Sequence, residues 1–297
     1  MTSSPRRGTV PSMDALIAIR EADGTFSHND PGIRPLYSIT KTYIAATVMR
    51  LGIDLRRPAA DWIDKDWLPR GRDITVEQLL NHTSGVRDYG GCPEYHLAVA
   101  AGDPAWDDET FAEHTLRRPL LFEPGAGWAY SNPGYWLLTQ IIEREAGMEL
   151  AAVLRCLIFE PLQLTHTRLA HGLIESNLRN YDSAWVWHRT LMASALETAT
   201  FMASDLTTPL RGRSTSVNVT DSLTRDARYG LGVMIENGEH FGHLGGGPGM
   251  ITCCFHFPKT GRTCCALVRE ASAATVMAHV VALGGGDGEQ IANDIPF

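Results

Sequence analysis

Tyr37-Ser38-Ile39-Thr40-Lys41-Thr42-Tyr43-Ile44-Ala45-Ala46-Thr47-Val48-Met49 is the stretch on which the interpretation of the whole sequence depends. The pattern predicts a helix that opens near Ser38 and carries Lys41 three residues later. Because positions i and i+3 lie on one face of a helix, the hydroxyl and the amine are expected to share the same space. The apolar side chains expected to bury this helix are Ile44, Ala45, Val48, Met49 and Leu51.

This pairing of a serine with a lysine has a chemical meaning. A serine hydroxyl is a weak nucleophile until a base takes its proton. A partly dehydrated amine has a lowered pKa and is one group that can do so, and a helix N-terminus adds free N–H groups. The tetrapeptide alone also fits an N-cap serine followed by a solvated lysine, so the rest of the chain has to decide.

Size and composition set outer limits on function. The chain has 297 residues, of which 44% are hydrophobic and 20% charged, as in globular domains. The formal net charge is −8 and the basic residues are scattered, which argues against nucleic acid as a partner. No apolar run reaches the length of a membrane span, so no membrane partner is expected.

The N-terminus and the cysteines bear on location. Residues 1–12 are polar and contain Pro5 and Pro11, which predicts a flexible tail without the apolar core of a signal peptide. The six cysteines form no C-x-x-C motif and are interpreted as reduced, small apolar residues of a cytoplasmic protein. A metal or redox role for the vicinal pairs is the alternative.

Periodicity divides the chain into three parts. Residues 13–20 are a predicted strand, followed by an Asp23-Gly24 turn and a return strand over 25–28. Residues 86–107, with Gly90-Gly91 and Pro93, are interpreted as loop-rich. The helices predicted in the middle of the chain span 58–63, 75–82 with Thr75 as N-cap, 107–117, 133–146 capped by Gly147, and 150–159.

The last third is richer in strands. The predictions are a helix over 192–203, strands over 229–235, 241–245, 251–257 and 263–268, an Asn237-Gly238 turn, and a closing helix over 271–283. Strands at both ends with helices between them indicate an α/β (α+β) fold, an antiparallel sheet flanked by helices with an all-helical insert. Residues 13–53 and 181–297 are expected to form the sheet domain and 54–180 the helical domain, with an active site in the cleft between them.

Two further short motifs, or boxes, accompany the first box, Ser38-Ile39-Thr40-Lys41. Tyr130-Ser131-Asn132 precedes the helix that starts near Pro133, and His243-Leu244-Gly245 is followed by Gly246-Gly247-Pro248-Gly249. In this order they resemble the boxes of the serine β-lactamase and penicillin-binding-protein superfamily, especially its class C-like esterases and D-peptidases. That family has Ser-x-x-Lys, Tyr-x-Asn, and Lys-Thr-Gly or His-x-Gly. The connecting segments 74–85, 122–125, 130–135 and 229–232 are similar too.

The resemblance assigns roles that agree with the chemistry of each residue. Ser38, Lys41 and Tyr130 would be catalytic. Tyr130 and Asn132 face the same way on an extended chain. An ammonium nearby would favour the Tyr130 phenolate, which could take the Ser38 proton and later give it to the leaving group. Taken alone, Tyr130 would be interpreted as a half-buried aromatic side chain.

The remaining site residues are expected to bind substrate. Asn132 offers an amide to Lys41 and to a substrate carbonyl. Gly245 and Gly246 leave room for substrate along a strand edge, and the N–H groups of Ser38 and Gly246 would form an oxyanion hole, each donor worth ~3 kcal/mol in the transition state. His243 stands where lysine is usual and is mostly uncharged at neutral pH, which argues against a carboxylate-bearing substrate.

Several other patterns are set aside. Lys259-Thr260-Gly261 spells the usual third box but lies in a Pro-led segment expected to be a hairpin turn. His240 and His243 would face opposite sides of a strand, so neither a metal nor another cofactor is predicted. Without a G-x-S-x-G motif, an α/β-hydrolase lacks its nucleophile. The tryptophans considered for the cleft wall are Trp128, Trp136, Trp185 and Trp187, with Trp136 expected in the core.

Departures from the family shape the functional hypothesis. Ser38 comes early, and the stretch from 170 to 228 is short, which predicts a reduced substrate cover. We expect a cytoplasmic enzyme in which Ser38 forms an acyl-serine from a small-molecule ester or amide and passes the acyl group to water or an amine. The competing hypothesis is a non-catalytic ligand-binding or sensor protein that keeps the fold.

Overall fold

The computed structural model describes residues 14–29, 31–178, 180–217, 227–236 and 239–285. The helices are α1 Thr40–Arg50, α2 Val76–Leu80, α3 Pro93–Ala101, α4 Asp108–His114, α5 Asn132–Ala146, α6 Leu150–Leu154, α7 Ala195–Met202 and α8 Ala273–Gly284. The strands are β1 Ala15–Arg20, β2 Phe26–His28, β3 Arg34–Pro35, β4 Arg168–Leu169, β5 Leu191–Ala193, β6 Thr215–Ser216, β7 Ala227–Tyr229, β8 Met234–Glu236, β9 His240–Gly247, β10 Met250–Phe257 and β11 Arg262–Arg269.

The main sheet is antiparallel and joins both ends of the described chain. Its order is β2-β1-β11-β10-β9-β8-β7-β6, and a small second sheet has the order β3-β5-β4. In β1, Ala15 lies opposite Val268 of β11, so the first strand pairs with the last. The predicted fold class is therefore confirmed. The predicted tail and the Asn237-Gly238 turn lie outside the described residues.

Helices cover both faces of the sheet, which explains why its central strands are apolar throughout. Helix α7 packs on β1, β10 and β11 from one side, and α8 packs on β10 and β11 from the other. In β10, Cys254 faces the larger core shared with α1 and α7, whereas Cys253 faces the core under α8. The sequence of a strand that is buried on both faces is a continuous apolar run and does not alternate between apolar and polar residues.

Local signals account for the helices that position the site. Thr75 and Gln78 form a reciprocal capping box at the start of α2. Ser131 accepts the Gly134 N–H at the start of α5, which ends at Gly147 in the left-handed conformation. Helix α1 packs against α5 and α6 and is buried on nearly every side.

The segment 86–107, predicted to be loop-rich, contains one helix that the sequence did not predict, α3. Pro93 occupies its first turn and Gly102, with φ of 73°, ends it. Of its nine residues only Val99 is fully buried, so α3 lacks the strong apolar face that identifies an amphipathic helix in a sequence.

Three element boundaries also differ from expectation. The predicted strand over 229–235 is two strands, β7 and β8, separated by a turn in which Gly232 has φ of 71° and a Cβ would lie 2.7 Å from that of Ala45. Met192 belongs to β5, and α7 begins three residues later, after its N-cap Ser194. The helix predicted over 150–159 becomes a π-helical turn from Arg155 onwards.

Candidate active site

Ser38 lies on a 3-10 turn, Tyr37–Ile39, immediately before α1, and not on the α-helix itself as the sequence suggested. The preceding residue, Tyr37, has φ of 47°, a left-handed conformation that is costly for a bulky residue. Its N–H donates to Thr190 Oγ1 at 2.8 Å, and the Leu36 N–H donates to the Leu191 carbonyl at 2.8 Å. These bonds hold the tight turn that carries the serine.

Lys41 is buried beneath Ser38. Its Nζ lies 3.0 Å from Ser38 Oγ and donates to Asn132 Oδ1 at 2.7 Å. The same nitrogen lies 4.9 Å from the ring centre of Tyr130 and 5.5 Å from that of Tyr135. The solvated-lysine alternative is therefore wrong. Burial is the main cause that lowers the pKa of Lys41 well below its usual value, and the charge of Asp88 opposes it.

Tyr130 lies in the extended segment before α5 and is hydrogen-bonded to Ser38. Burial raises the pKa of its phenol far above the usual value, and the hydrogen bond with Ser38 only partly offsets this. From the sequence, an easily formed phenolate is expected because an amine lies nearby. Burial of the phenol acts in the opposite direction and is the largest influence on its pKa. A neutral amine and a neutral phenol are the electrostatically cheaper pair in this environment.

Strand β9 places its glycines against the 3-10 turn Tyr37–Ile39, here called the serine turn. A Cβ on Gly245 would lie 2.3 Å from Thr252 Oγ1, 2.5 Å from the Leu36 carbonyl oxygen and 3.0 Å from the Ser38 nitrogen. The neighbouring Gly246 is exposed, and its Cβ would be 3.6 Å from the nearest side-chain atom. The chain thus places Gly245 in contact with the serine turn and leaves Gly246 open beside it.

His243, also on β9, is buried. Its Nε2 is 2.8 Å from the Tyr229 hydroxyl, and its Nδ1 is hydrogen-bonded to the Leu244 carbonyl. Since the carbonyl can only accept, Nδ1 carries the proton and the tyrosine hydroxyl donates to Nε2. Burial lowers the pKa of His243 to about 3, so the ring is uncharged at neutral pH. This agrees with the prediction made from its identity.

His82 forms part of the layer beneath the site. The Ser131 N–H donates to His82 Nδ1 at 3.2 Å, and the imidazole ring centre lies 4.4 Å from that of Tyr130 and 4.7 Å from that of Tyr229. Burial lowers the pKa of His82 well below its usual value. A neutral imidazole in this position supports the segment that carries Tyr130.

Asp88 is a site residue that the sequence did not reveal. Its Oδ1 accepts the Asn132 N–H at 2.8 Å, and its Oδ2 lies 3.3 Å from Asn132 Nδ2 and 3.1 Å from the Gly90 nitrogen. Burial raises its pKa, while these donors and Lys41 oppose the rise. No spacing pattern connects Asp88 to a partner 44 residues later, so only the folded chain brings the two together.

The other residues considered from the sequence lie in the core, beside His82 or in a turn between strands. Trp136, Trp185 and Trp187 are buried, whereas Trp128 is half-buried beside His82. Residues 258–261, which include the Lys-Thr-Gly sequence, form the turn between β10 and β11, as predicted. Within the described ranges no group of three or more His, Cys, Asp and Glu side chains could hold a metal ion.

The sheet, together with the three boxes gathered around Ser38, defines a β-lactamase-like class of protein. A family model described as Beta-lactamase matches residues 32–283, most of the chain, so the protein belongs to the beta-lactamase family. The resemblance inferred from the three boxes is thereby confirmed.

Curated relatives match over shorter segments. Penicillin-binding protein 4* of Bacillus subtilis (strain 168) is 34% identical over 144 residues, which cover 45% of this chain and 30% of that protein. Esterase EstB of Burkholderia gladioli is 33% identical over 144 residues, which cover 43% of this chain and 36% of that protein. The matched segments thus span about a third of the length of these two relatives.

Solved structures match over most of the chain. A D-stereospecific amidohydrolase from Streptomyces sp. superposes with a TM-score of 0.73 at 20% identity, covering 86% of this chain and 88% of that one. The octameric penicillin-binding protein homologue from Pyrococcus abyssi gives a TM-score of 0.74 at 22% identity, covering 95% and 75%. At these identities the likeness shows a shared fold.

Proposed function

We propose that this protein is a serine acyl-transfer enzyme in which Ser38 attacks the carbonyl of a small-molecule ester or amide. The observation that carries the proposal is the buried Lys41 amine, 3.0 Å from Ser38 Oγ, with its pKa lowered by burial. A nucleophile within hydrogen-bond reach of a base that is itself held by a third group has the arrangement that covalent catalysis requires. Asn132 is that third group.

In the first half of the reaction, the neutral Lys41 amine accepts the Ser38 proton across the 3.0 Å contact while Asn132 Oδ1 holds one of its N–H groups. The carbonyl oxygen becomes negative as Oγ attacks, and the N–H groups of Ser38 and Gly246 bind it. The Tyr130 phenol relays the proton to the leaving alcohol or amine and takes it up again from Lys41. The product of these steps is an acyl-serine.

In the second half, a bound nucleophile repeats the sequence in reverse. Water gives a carboxylic acid, and a primary amine gives an amide without consuming ATP. Both acceptors use the same base and the same oxyanion hole, so the acceptor depends on what the cleft binds. An open cleft, expected from the short 170–228 stretch, favours a second substrate that competes with water.

Two observations support the substrate class. The neutral, internally hydrogen-bonded His243 offers no cation for a carboxylate. Relatives and fold neighbours include proteins named as an esterase and as an amidohydrolase.

In the described residues no helix is long and apolar enough to cross a bilayer. The six cysteines are free thiols, which supports a reducing, cytoplasmic location.

The two-part organisation is also part of the proposal. Ser38, Lys41 and Gly245 come from the predicted sheet domain of residues 13–53 and 181–297, whereas Tyr130 and Asn132 come from the helical part, 54–180. The contact of Lys41 with Asn132 supports a cleft between the two as the place of reaction.

A fluorophosphonate probe tests the function directly, because an activated serine labels stoichiometrically. We expect labelling of Ser38 in the wild-type protein, none in Ser38→Ala, and a loss of roughly 10⁶-fold in turnover of a nitrophenyl ester in that variant. A wild-type protein that neither labels nor turns over the ester would instead be a binding or sensor protein.

The acceptor is tested separately. The enzyme is given an activated ester with a panel of primary amines, and mass spectrometry measures the ratio of amide to acid. Amide that increases with amine concentration and depends on Ser38 supports transfer. Free acid as the only product, with amine in large excess, would identify a plain hydrolase.

A further inference from the structure

The orientation of the Asn132 amide has an identifiable cause. Its oxygen accepts from Lys41 Nζ at 2.7 Å, and its Nδ2 lies 3.3 Å from Asp88 Oδ2. If the amide were reversed, Nδ2 would face the amine and Oδ1 would face the carboxylate. The amide NH2 would then take the Lys41 lone pair that Ser38 needs, and acceptor would meet acceptor at the carboxylate, so the present pair of hydrogen bonds would be lost.

Asp88 is itself held so that it can impose this choice. Its carboxylate also accepts the Asn132 backbone N–H at 2.8 Å, at the first residue of α5, and the Gly90 N–H at 3.1 Å. A carboxylate at the N-terminus of the 15-residue α5 is favoured by the helix dipole. An ionised carboxylate accepts from every side, so it meets three N–H donors without any conflict of donors.

From these contacts, and resting on the function proposed above, we propose that Asp88 is a positioning residue. It holds the Asn132 amide in the one orientation that presents its oxygen to Lys41, and it supplies a negative charge close to that amine. Asp88 acts through Asn132 and Lys41 and does not touch the reacting atoms itself.

Among the groups that surround Lys41, Asp88 is the one whose removal should change the pKa of the Lys41 amine through its charge. Polar and aromatic groups that face the amine are Ser38, Tyr130, Asn132 and Tyr135, and the ionisable groups that interact with it from neighbouring elements are Asp88, His82, His188 and His243. Burial lowers the pKa of all three histidines, which keeps them neutral at pH 7. Burial raises the pKa of Asp88 too, but its two oxygens meet three N–H donors, which favour the carboxylate, so Asp88 is the anionic member of this set.

The experiment compares Asp88→Asn with the wild-type protein. Fluorophosphonate labelling and nitrophenyl-ester turnover are both measured from acidic to alkaline pH. The substitution keeps the shape of the side chain but places an NH2 group among N–H donors. We expect a loss of roughly ten- to a hundredfold in both rates, the usual range for a lost hydrogen bond to a charged group. The limb of the pH profile that reports Lys41 should move to lower pH, because a charge that favours the ammonium has gone.

Three further variants separate positioning from simple structural damage. Asp107→Asn is the matched control, because Asp107 also accepts a backbone N–H, that of Thr110 at 2.8 Å, but on the exposed N-cap of α4; its rates and pH profile should equal those of the wild type. Asp88→Glu keeps the charge, so its pH limb should stay near the wild-type position while its rates fall. If Asp88→Asn does not fold, the rates and the pH limb of Asp88→Glu are compared with those of the wild type instead, and unchanged rates would overturn the positioning role. Asp88→Asn added to Asn132→Ala should cost little beyond Asn132→Ala alone.

The outcomes are distinguishable. A wild-type protein that does not label overturns the proposed function. A wild-type protein that labels, with Asp88→Asn giving coincident rates and pH profiles, overturns the role of Asp88 only. Additive rate losses in the Asp88→Asn/Asn132→Ala double variant would overturn the positioning role, because they would show that Asp88 does not act through the Asn132 amide; the effect of its charge on Lys41 is measured separately, by the pH limb.

Discussion

Replacing Gly245 by alanine should separate two things that β9 does, namely completing the sheet and pressing against the serine turn. The added Cβ would lie 2.5 Å from the Leu36 oxygen and 2.3 Å from Thr252 Oγ1. Cβ atoms in real proteins essentially never approach closer than 3.0 Å. The strand and the turn must therefore separate by at least about 0.5 Å, which is enough to take an N–H donor from 2.9 Å to beyond the usual hydrogen-bond range.

The size of the effect follows from that displacement. Overpacking a closely packed contact costs roughly 1–3 kcal/mol of stability, which leaves a protein of ordinary stability folded. Losing one oxyanion donor costs about 10²–10³-fold in kcat. We therefore expect Gly245→Ala to remain folded but to lose at least about a hundredfold in ester turnover. KM should change much less, because the lost interaction is made mainly in the transition state.

The assay measures turnover of a nitrophenyl ester per folded molecule, with folding followed by urea denaturation. Gly246→Ala is the control for stability, because its Cβ meets nothing closer than 3.6 Å and should leave the free energy of unfolding within about 0.5 kcal/mol. Turnover of Gly245→Ala at the wild-type rate would refute the argument that the serine turn and β9 need this close contact.

The remaining predictions concern charge and protonation. Lys41→Ala and Tyr130→Phe should each slow labelling of Ser38 by a fluorophosphonate severely, and wild-type labelling in either variant would remove that residue from the mechanism. Penicillins should acylate Ser38 slowly, because the neutral His243 gives their carboxylate no cation; rapid hydrolysis of a cephalosporin, followed by its absorbance, would contradict this. Stability should fall from pH 7 to pH 5. The unfolded chain takes up a proton at His243 near pH 6.5 while the folded protein does not until about pH 3, which costs about 2 kcal/mol at pH 5. Equal urea midpoints at the two pH values would refute it.

Local chemistry explains what the sequence predicts well. The spacing of Ser38 and Lys41 is a property of one helical turn, and it survives the change from α-helix to 3-10 turn at Ser38. The Thr75 cap depends on a residue three positions away. Such features need no knowledge of the rest of the fold.

The features that the sequence misses depend on tertiary contacts. The pairing of Asp88 with Asn132 requires the loop after α2 to reach the start of α5. The raised pKa of Tyr130 comes from burial, which a two-residue spacing does not encode. The break between β7 and β8 occurs where Gly232 packs against Ala45 of α1, a contact between distant parts of the chain.

The pairing of β1 with β11 has a consequence for how this protein is made. Ala15 can pair with Val268 only after β11 has left the ribosome. At roughly 5–20 residues per second, the ~250 residues between them take on the order of 10–50 s to be synthesised. Strand β9, which presses Gly245 against the serine turn, also emerges late. Until β9 and β11 have been synthesised, Ser38 therefore lacks the sheet that completes its site, and the proposed acyl-transfer activity should begin only after these strands have emerged.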